Sequence, residues 1–154
     1  MTNFQQHVKD NPLEELKIFS GKFISIGFLS KHPDVLKKYI YDLEKNCYDI
    51  RNFELIVAIP DNDEDHKSFL KVSEETKIEL KIARLPYAFL NAMKSWNIML
   101  NKISDQSTYF YIGHSDRCRF SCKHWDLIIK QYINAVPDDM FFLRGSNFSK
   151  NIKI

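Results

Sequence analysis

Five short apolar runs alternate along this chain with stretches of helical periodicity, and that alternation restricts the possible folds more than any single motif does. The runs are 22–29, 53–59, 77–82, 108–112 and 140–145. They are rich in β-branched and aromatic residues, as strands are. The second, Phe53 to Ile59, and the fourth, Thr108 to Ile112, carry little charge, which predicts burial on both faces of a parallel sheet. The third, Lys77 to Ile82, alternates polar and apolar residues, which predicts an edge strand with one wet face.

The intervening segments predict helices. Pro33 to Asn46 has Val35, Leu36, Tyr39, Ile40 and Leu43 on one stripe, with Pro33 and Asp34 suited to its first turn. His66 to Ser73 is a shorter helix anchored by Phe69, Leu70 and Val72. Ala88 to Ile103 repeats apolar residues at steps of three and four: Phe89, Leu90, Met93, Trp96, Met99 and Leu100. Cys122 to Ala135 turns Trp125, Ile128, Ile129, Tyr132 and Ile133 to one side. Strict strand–helix alternation implies right-handed crossovers. The expected fold is therefore α/β: a three-layer, Rossmann-like, mainly parallel five-stranded sheet with helices on both faces. The first strand should lie beside the fourth, with the second and third outward on its other side. Residues 1–21 read as an N-terminal extension, 22–147 as one domain and 148–154 as a tail.

Composition narrows the function classes. The chain has 154 residues, enough for one domain with a real core. Its net charge of +2, with both signs interspersed, gives no broad field for nucleic acid or a membrane surface. No apolar run approaches the roughly 20 residues of a membrane span, and the first residues lack a secretory pattern. Three cysteines form no disulfide framework, so a reducing, cytoplasmic setting is expected. His114, Cys118, Cys122 and His124 do not have the spacing of a zinc finger or ribbon, and the cysteines read as small packing residues.

Three strands stop abruptly in polar residues: at Ser30-Lys31, at Pro60-Asp61-Asn62-Asp63 and at Gly113-His114-Ser115-Asp116. In an open parallel sheet such breaks share one rim, and ligands bind at the point where strand order reverses. Gly113 reads as a place where the backbone turns or approaches a ligand closely. A ligand there would meet Ser30, Lys31, Asp61, Asp63 and Ser115, with Arg117 close by. Neither G-x-G-x-x-G nor a Walker loop is present. Acids dominate the crevice, and carboxylates facing a polyphosphate need a divalent cation between them, Mn2+ or Mg2+. Two readings of the acidic run Asp61 to Asp65 stay open: ligand contacts, or a helix N-terminus whose dipole favours acids. Arg117 and Arg119 either hold phosphate charge or coat the surface. Trp96 and Trp125 lie at helical spacing beside Leu and Ile, which places them in the core.

In this order the segments resemble the nucleotide-sugar half of GT-A glycosyltransferases of the family-2 type. The resemblance is carried by Phe23 to Leu36 with its Pro-Asp helix start, by Phe53 to Asp63, and by Asn91-Ala92-Met93-Lys94. Tyr109 to Asp116 sits where that family runs a strand into Asp-x-Asp, and Trp125-Asp126 follows. It implies inverting transfer of a sugar from a nucleoside diphosphate sugar, with a metal on the diphosphate. Asp116 takes the place of the last Asp of Asp-x-Asp, and His114 stands where the first would be. Asp61, and with it Asp63, takes the nucleoside-facing place, and Ser30 lies in the turn that touches the base. The family's general base and acceptor segments lie beyond the fifth strand, and no residue here matches them. A non-catalytic GT-A-like binding module, working with a partner chain or as a homo-oligomer, is the alternative. A response-regulator-like domain ranks third. It would want an acidic pair after the first strand and a Lys after the last, where this chain has Leu29-Ser30-Lys31 and Gly145-Ser146.

Overall fold

The apolar runs become strands of one parallel sheet. The computed structural model describes residues 22–86, 91–105, 109–115 and 119–135. In chain order the elements are β1 (Ile24–Leu29), α1 (Pro33–Asn46), β2 (Phe53–Ile59), α2 (Asp63–Glu75) and β3 (Glu79–Arg84). Then come α3 (Ala92–Ile98), which continues into a π-helical turn over Met99–Ile103, β4 (Tyr109–Ser115) and α4 (Trp125–Ala135). The sheet runs β3-β2-β1-β4, and every neighbouring pair is parallel. This is the order expected for these four strands. The expected strand at 140–145 lies outside the described residues, as do 1–21 and 148–154.

Alternate residues of a strand point to opposite faces, and the core divides accordingly. On one face Ile24, Ile26, Phe28, Phe53, Leu55, Val57 and Ile59 pack with Leu36, Tyr39, Ile40 and Leu43 of α1. Phe69 and Val72 of α2 and Trp125 and Ile133 of α4 join the same cluster. On the other face Leu29, Ile56, Ala58 and Ala83 meet Trp96 and Met99. All residues of β1 and β2 are buried, and each large apolar side chain so enclosed stabilises the fold by roughly 1.5–3 kcal/mol.

Several element boundaries differ from the sequence expectation, each for a local reason. Helix α2 begins at Asp63 rather than His66, because the Asn62 side chain caps it by accepting the Asp65 amide at 2.9 Å. Strand β3 begins at Glu79. Before it, Thr76 Oγ1 and the Lys77 amide both bond Glu44 Oε1, and the Ile78 amide bonds Thr76 Oγ1, so these residues serve the connection instead of the ladder. In α3 the buried line runs through Trp96 and Met99 with Ala92 and Ile103 partly covered. Met93 and Leu100, expected in the stripe, fall on its flank and are exposed.

Helix α4 begins at Trp125, and its start is not at the end of the sheet where β4 finishes. Residues 119–124 lie instead against the last turns of α1. Asn46 Nδ2 donates to the Phe120 carbonyl at 2.7 Å, the His124 amide donates to the Asn46 carbonyl at 2.6 Å, and Arg119 pairs with Asp42. The Phe120 ring packs on Tyr39, Tyr111 and Trp125. Asp126, Lys130 and Gln131 are buried along with Trp125, Leu127 and Ile133, so α4 is enclosed on more than the single apolar stripe expected. Among the described residues no helix is long and apolar enough to cross a membrane.

Candidate functional site

The register sets the carboxyl ends of the strands side by side. Leu29 pairs with Ala58 on one side and Ser115 on the other, and Ile59 pairs with Arg84. Backbone bonds extend this ladder past the strand ends: Ser30 N to Ala58 O at 3.1 Å, and Leu85 N to Ile59 O at 3.0 Å. The exits from β1 and β3 are thus both pinned to β2. The turns beginning at Ser30 and Pro60, and the chain leaving Ser115, share one rim, with β1 between β2 and β4.

The predicted residues have distinct fates on that rim. Ser30 is fully buried, and its hydroxyl donates to the His32 carbonyl at 3.2 Å. The same carbonyl receives the Val35 and Leu36 amides, so Ser30 fastens the turn to the start of α1. Lys31 is exposed in that turn. Asp61 accepts from Arg84: Nε to Oδ1 at 2.9 Å and Nη2 to Oδ1 at 2.7 Å, with both side chains partly exposed. Asp63 is the first residue of α2 and Ser115 the last of β4, while His114 precedes it within the strand; these three are described by their backbone alone. Asp116 and Arg117 lie outside the described residues.

Three sequence readings are corrected here. Strand β4 does not stop at Ile112 but continues to Ser115. Gly113 is accordingly a buried strand residue, and the side chain it lacks leaves room for Tyr39. A β-carbon at 113 would stand 2.5 Å from the Tyr39 hydroxyl oxygen and 3.0 Å from both the Gly27 carbonyl oxygen and Ile26 Cγ2. Arg84, beyond the expected run of Lys77 to Ile82, closes β3 and supplies the partner of Asp61. The signal for it was a basic residue at the end of an edge strand beside an acid-tipped one, and it becomes legible only once the register is known.

Among the described residues no three His, Cys, Asp or Glu side chains are grouped to hold a metal ion. The acid described at the rim, Asp61, already has a guanidinium partner. The described side chains therefore do not by themselves make a Mn2+ or Mg2+ site. A surface groove of about 200 Å³ lies between α1 and α2, lined by Lys37, Ile40, Tyr41, Glu44, Val72, Glu75 and Thr76. None of these residues belongs to the strand ends, and a Lys37–Glu75 ion pair at 2.9 Å bridges the two helices there. Trp125 and Asp126 are structural. The indole Nε1 donates to the Leu43 carbonyl, and the Asp126 carboxylate receives the Tyr48 and Asp49 amides and Asn52 Nδ2. No protein-family model, no curated protein and no solved structure matches this chain.

Proposed function

We propose that the chain binds a nucleoside diphosphate sugar at the carboxyl rim of its sheet, as a GT-A-like domain of the family-2 type, in a Rossmann-like three-layer fold completed by a fifth strand at 140–145. The observation that supports this reading is the strand order. β1 lies between β2 and β4 in a parallel sheet, which makes the β1–β4 boundary the switch point where such sheets take ligands. In this reading the turn that Ser30 fastens and the Asp61 carboxylate border the nucleoside, with Lys31, Asp63, Ser115 and Arg117 around them. Asp116 with His114 would hold Mn2+ or Mg2+, which would neutralise the diphosphate and help the leaving group depart. The odd cysteine count fits a cytoplasmic setting.

A second reading, a GT-A-like module that binds nucleotide without transferring sugar, is favoured by the Asp61–Arg84 pair. A carboxylate already matched by a guanidinium adds little to a metal site, whereas the guanidinium can itself receive phosphate oxygens. Titration calorimetry with UDP- and GDP-sugars, each with and without Mn2+, tests both readings. Heat that depends on Mn2+, together with slow sugar release, supports the transferase. Heat that is independent of the ion and lost in Arg84→Met supports the module. Absence of heat with every donor defeats both.

A further inference from the structure

At the amino end of the sheet, away from the rim, a carboxylate is enclosed in the middle of strand pairing. Glu54 is fully buried, in register with Ser25 on one side and Glu79 on the other. Its Oε1 accepts from Ser25 Oγ at 2.6 Å and from the Asp105 amide at 2.8 Å. Its Oε2 meets Lys81 Nζ at 2.7 Å and Lys22 Nζ at 3.3 Å. Lys22 also bonds both oxygens of Glu79, at 2.9 and 2.8 Å, and approaches Asp105 Oδ2 at 3.8 Å. Lys81 in turn donates to the Ile103 carbonyl at 3.3 Å.

Three of these contacts leave the sheet. The Ile103 carbonyl ends the π-helical turn Met99–Ile103, which is also tied by Ser104 N to Met99 O at 2.8 Å, and the Asp105 amide and carboxylate lie just after it. Four residues after Asp105 the chain enters β4, where the Tyr109 amide donates to the Phe23 carbonyl at 2.9 Å. β4 is bonded within the sheet to β1 alone among the described strands, and its Ile112 is 39% exposed. Its pairing also carries an irregularity between Gly27 and Leu29. It therefore has fewer restraints of its own than β1 or β2.

We propose that Glu54 is a clasp: it holds the α3–β4 junction to β2 and β3, and by fixing where β4 begins it sets the strand whose far end reaches the rim. A π-helical turn carries an extra residue that a helix terminus could otherwise shed by rewinding. The clasp opposes that rewinding by gripping a donor and, through Lys81, an acceptor on either side of Ser104. A rewound turn would slide the start of β4, and in a strand a one-residue slip exchanges its two faces. This inference does not depend on what the rim binds.

Amide hydrogen exchange on the intact chain, comparing wild type with Glu54→Met, tests the clasp. Ser25→Ala serves as the control, since it removes one bond to Glu54 but leaves the junction held. The expected result is at least tenfold faster exchange at Asp105 and at Tyr109 to Ile112 in Glu54→Met, with Leu55 to Val57 changed less than twofold and Ser25→Ala leaving β4 as in wild type. Equal acceleration across β1, β2 and β4 would overturn the proposal in favour of a general contribution to stability, and unchanged protection in β4 would overturn it outright. If Glu54→Met does not fold, Glu54→Gln is read by the same criteria. It keeps one acceptor but sets an amide NH2 against the two lysines.

Discussion

Gly113 and Gly27 face opposite sides of the sheet, and each is small because something else occupies the space. A β-carbon on Gly27 would come within 2.5 Å of Phe110 Cζ, the far end of a ring that can shift. At Gly113 the neighbours include the Gly27 backbone carbonyl, which cannot shift without disturbing the β1–β4 pairing. Gly113→Ala should therefore lower stability by about 1–3 kcal/mol, as overpacking in a core does, and more than Gly27→Ala; urea unfolding of the two variants checks the order. The cysteines also differ by environment. Burial, and next to it the charge of Asp126, pushes the Cys47 thiol up to about 11, which leaves a thiolate fraction on the order of one in ten thousand at neutral pH. Cys122 is exposed. Brief treatment with iodoacetamide, followed by mass spectrometry, should modify Cys122 well before Cys47.

At the scale of elements, the longest-range polar contacts decide how the helices sit. Asp126, in the first turn of α4, receives three donors from the connection between α1 and β2. Replacing it with Ala would leave two amides and a buried carboxamide without their acceptor. Orphaned donors cost about 1–3 kcal/mol each before any rehydration, so Asp126→Ala should destabilise the chain by about 2–4 kcal/mol. Thermal melts would show it, with exchange at Tyr48 and Asp49 rising first. The helical stripe of α1 is readable in sequence because 3.6-residue spacing needs no knowledge of partners: Leu36, Tyr39, Ile40 and Leu43 are all buried. The stripe of α4 is less readable, since Asp126, Lys130 and Gln131 are enclosed by contacts from distant segments that periodicity does not register. Lys130 Nζ, for example, lies 5.1 Å from the centre of the Phe23 ring.

For the molecule as a whole, acid is the condition to which the sheet should respond most. Burial raises the proton affinity of Glu54. The hydrogen bonds from Lys81, Ser25, the Asp105 amide and Lys22 outweigh it and hold the carboxyl below its usual range. The resulting stabilisation is complete above the unfolded carboxylate value of about 4.3 and is lost as the pH falls through the lower folded value. Glu54→Gln should cost about 3 kcal/mol at neutral pH. Its urea midpoint should converge on that of wild type as the pH falls below the ordinary carboxylate range, where the wild-type carboxyl takes up its proton. Sequence by itself determined the α/β class and the four described strands, because buried parallel strands and amphipathic helices carry local periodicities; the order of those strands matches the doubly wound layout expected for them. It also determined that Ser30 and Asp61 follow strands that end together. Only the tertiary structure decided that Asp61 is matched by Arg84, that Gly113 yields its space to Tyr39, and that Glu54 is buried among cations. Each of those outcomes depends on which residue of a neighbouring strand or helix stands opposite, and pair register is a property of the assembled sheet that no local pattern contains.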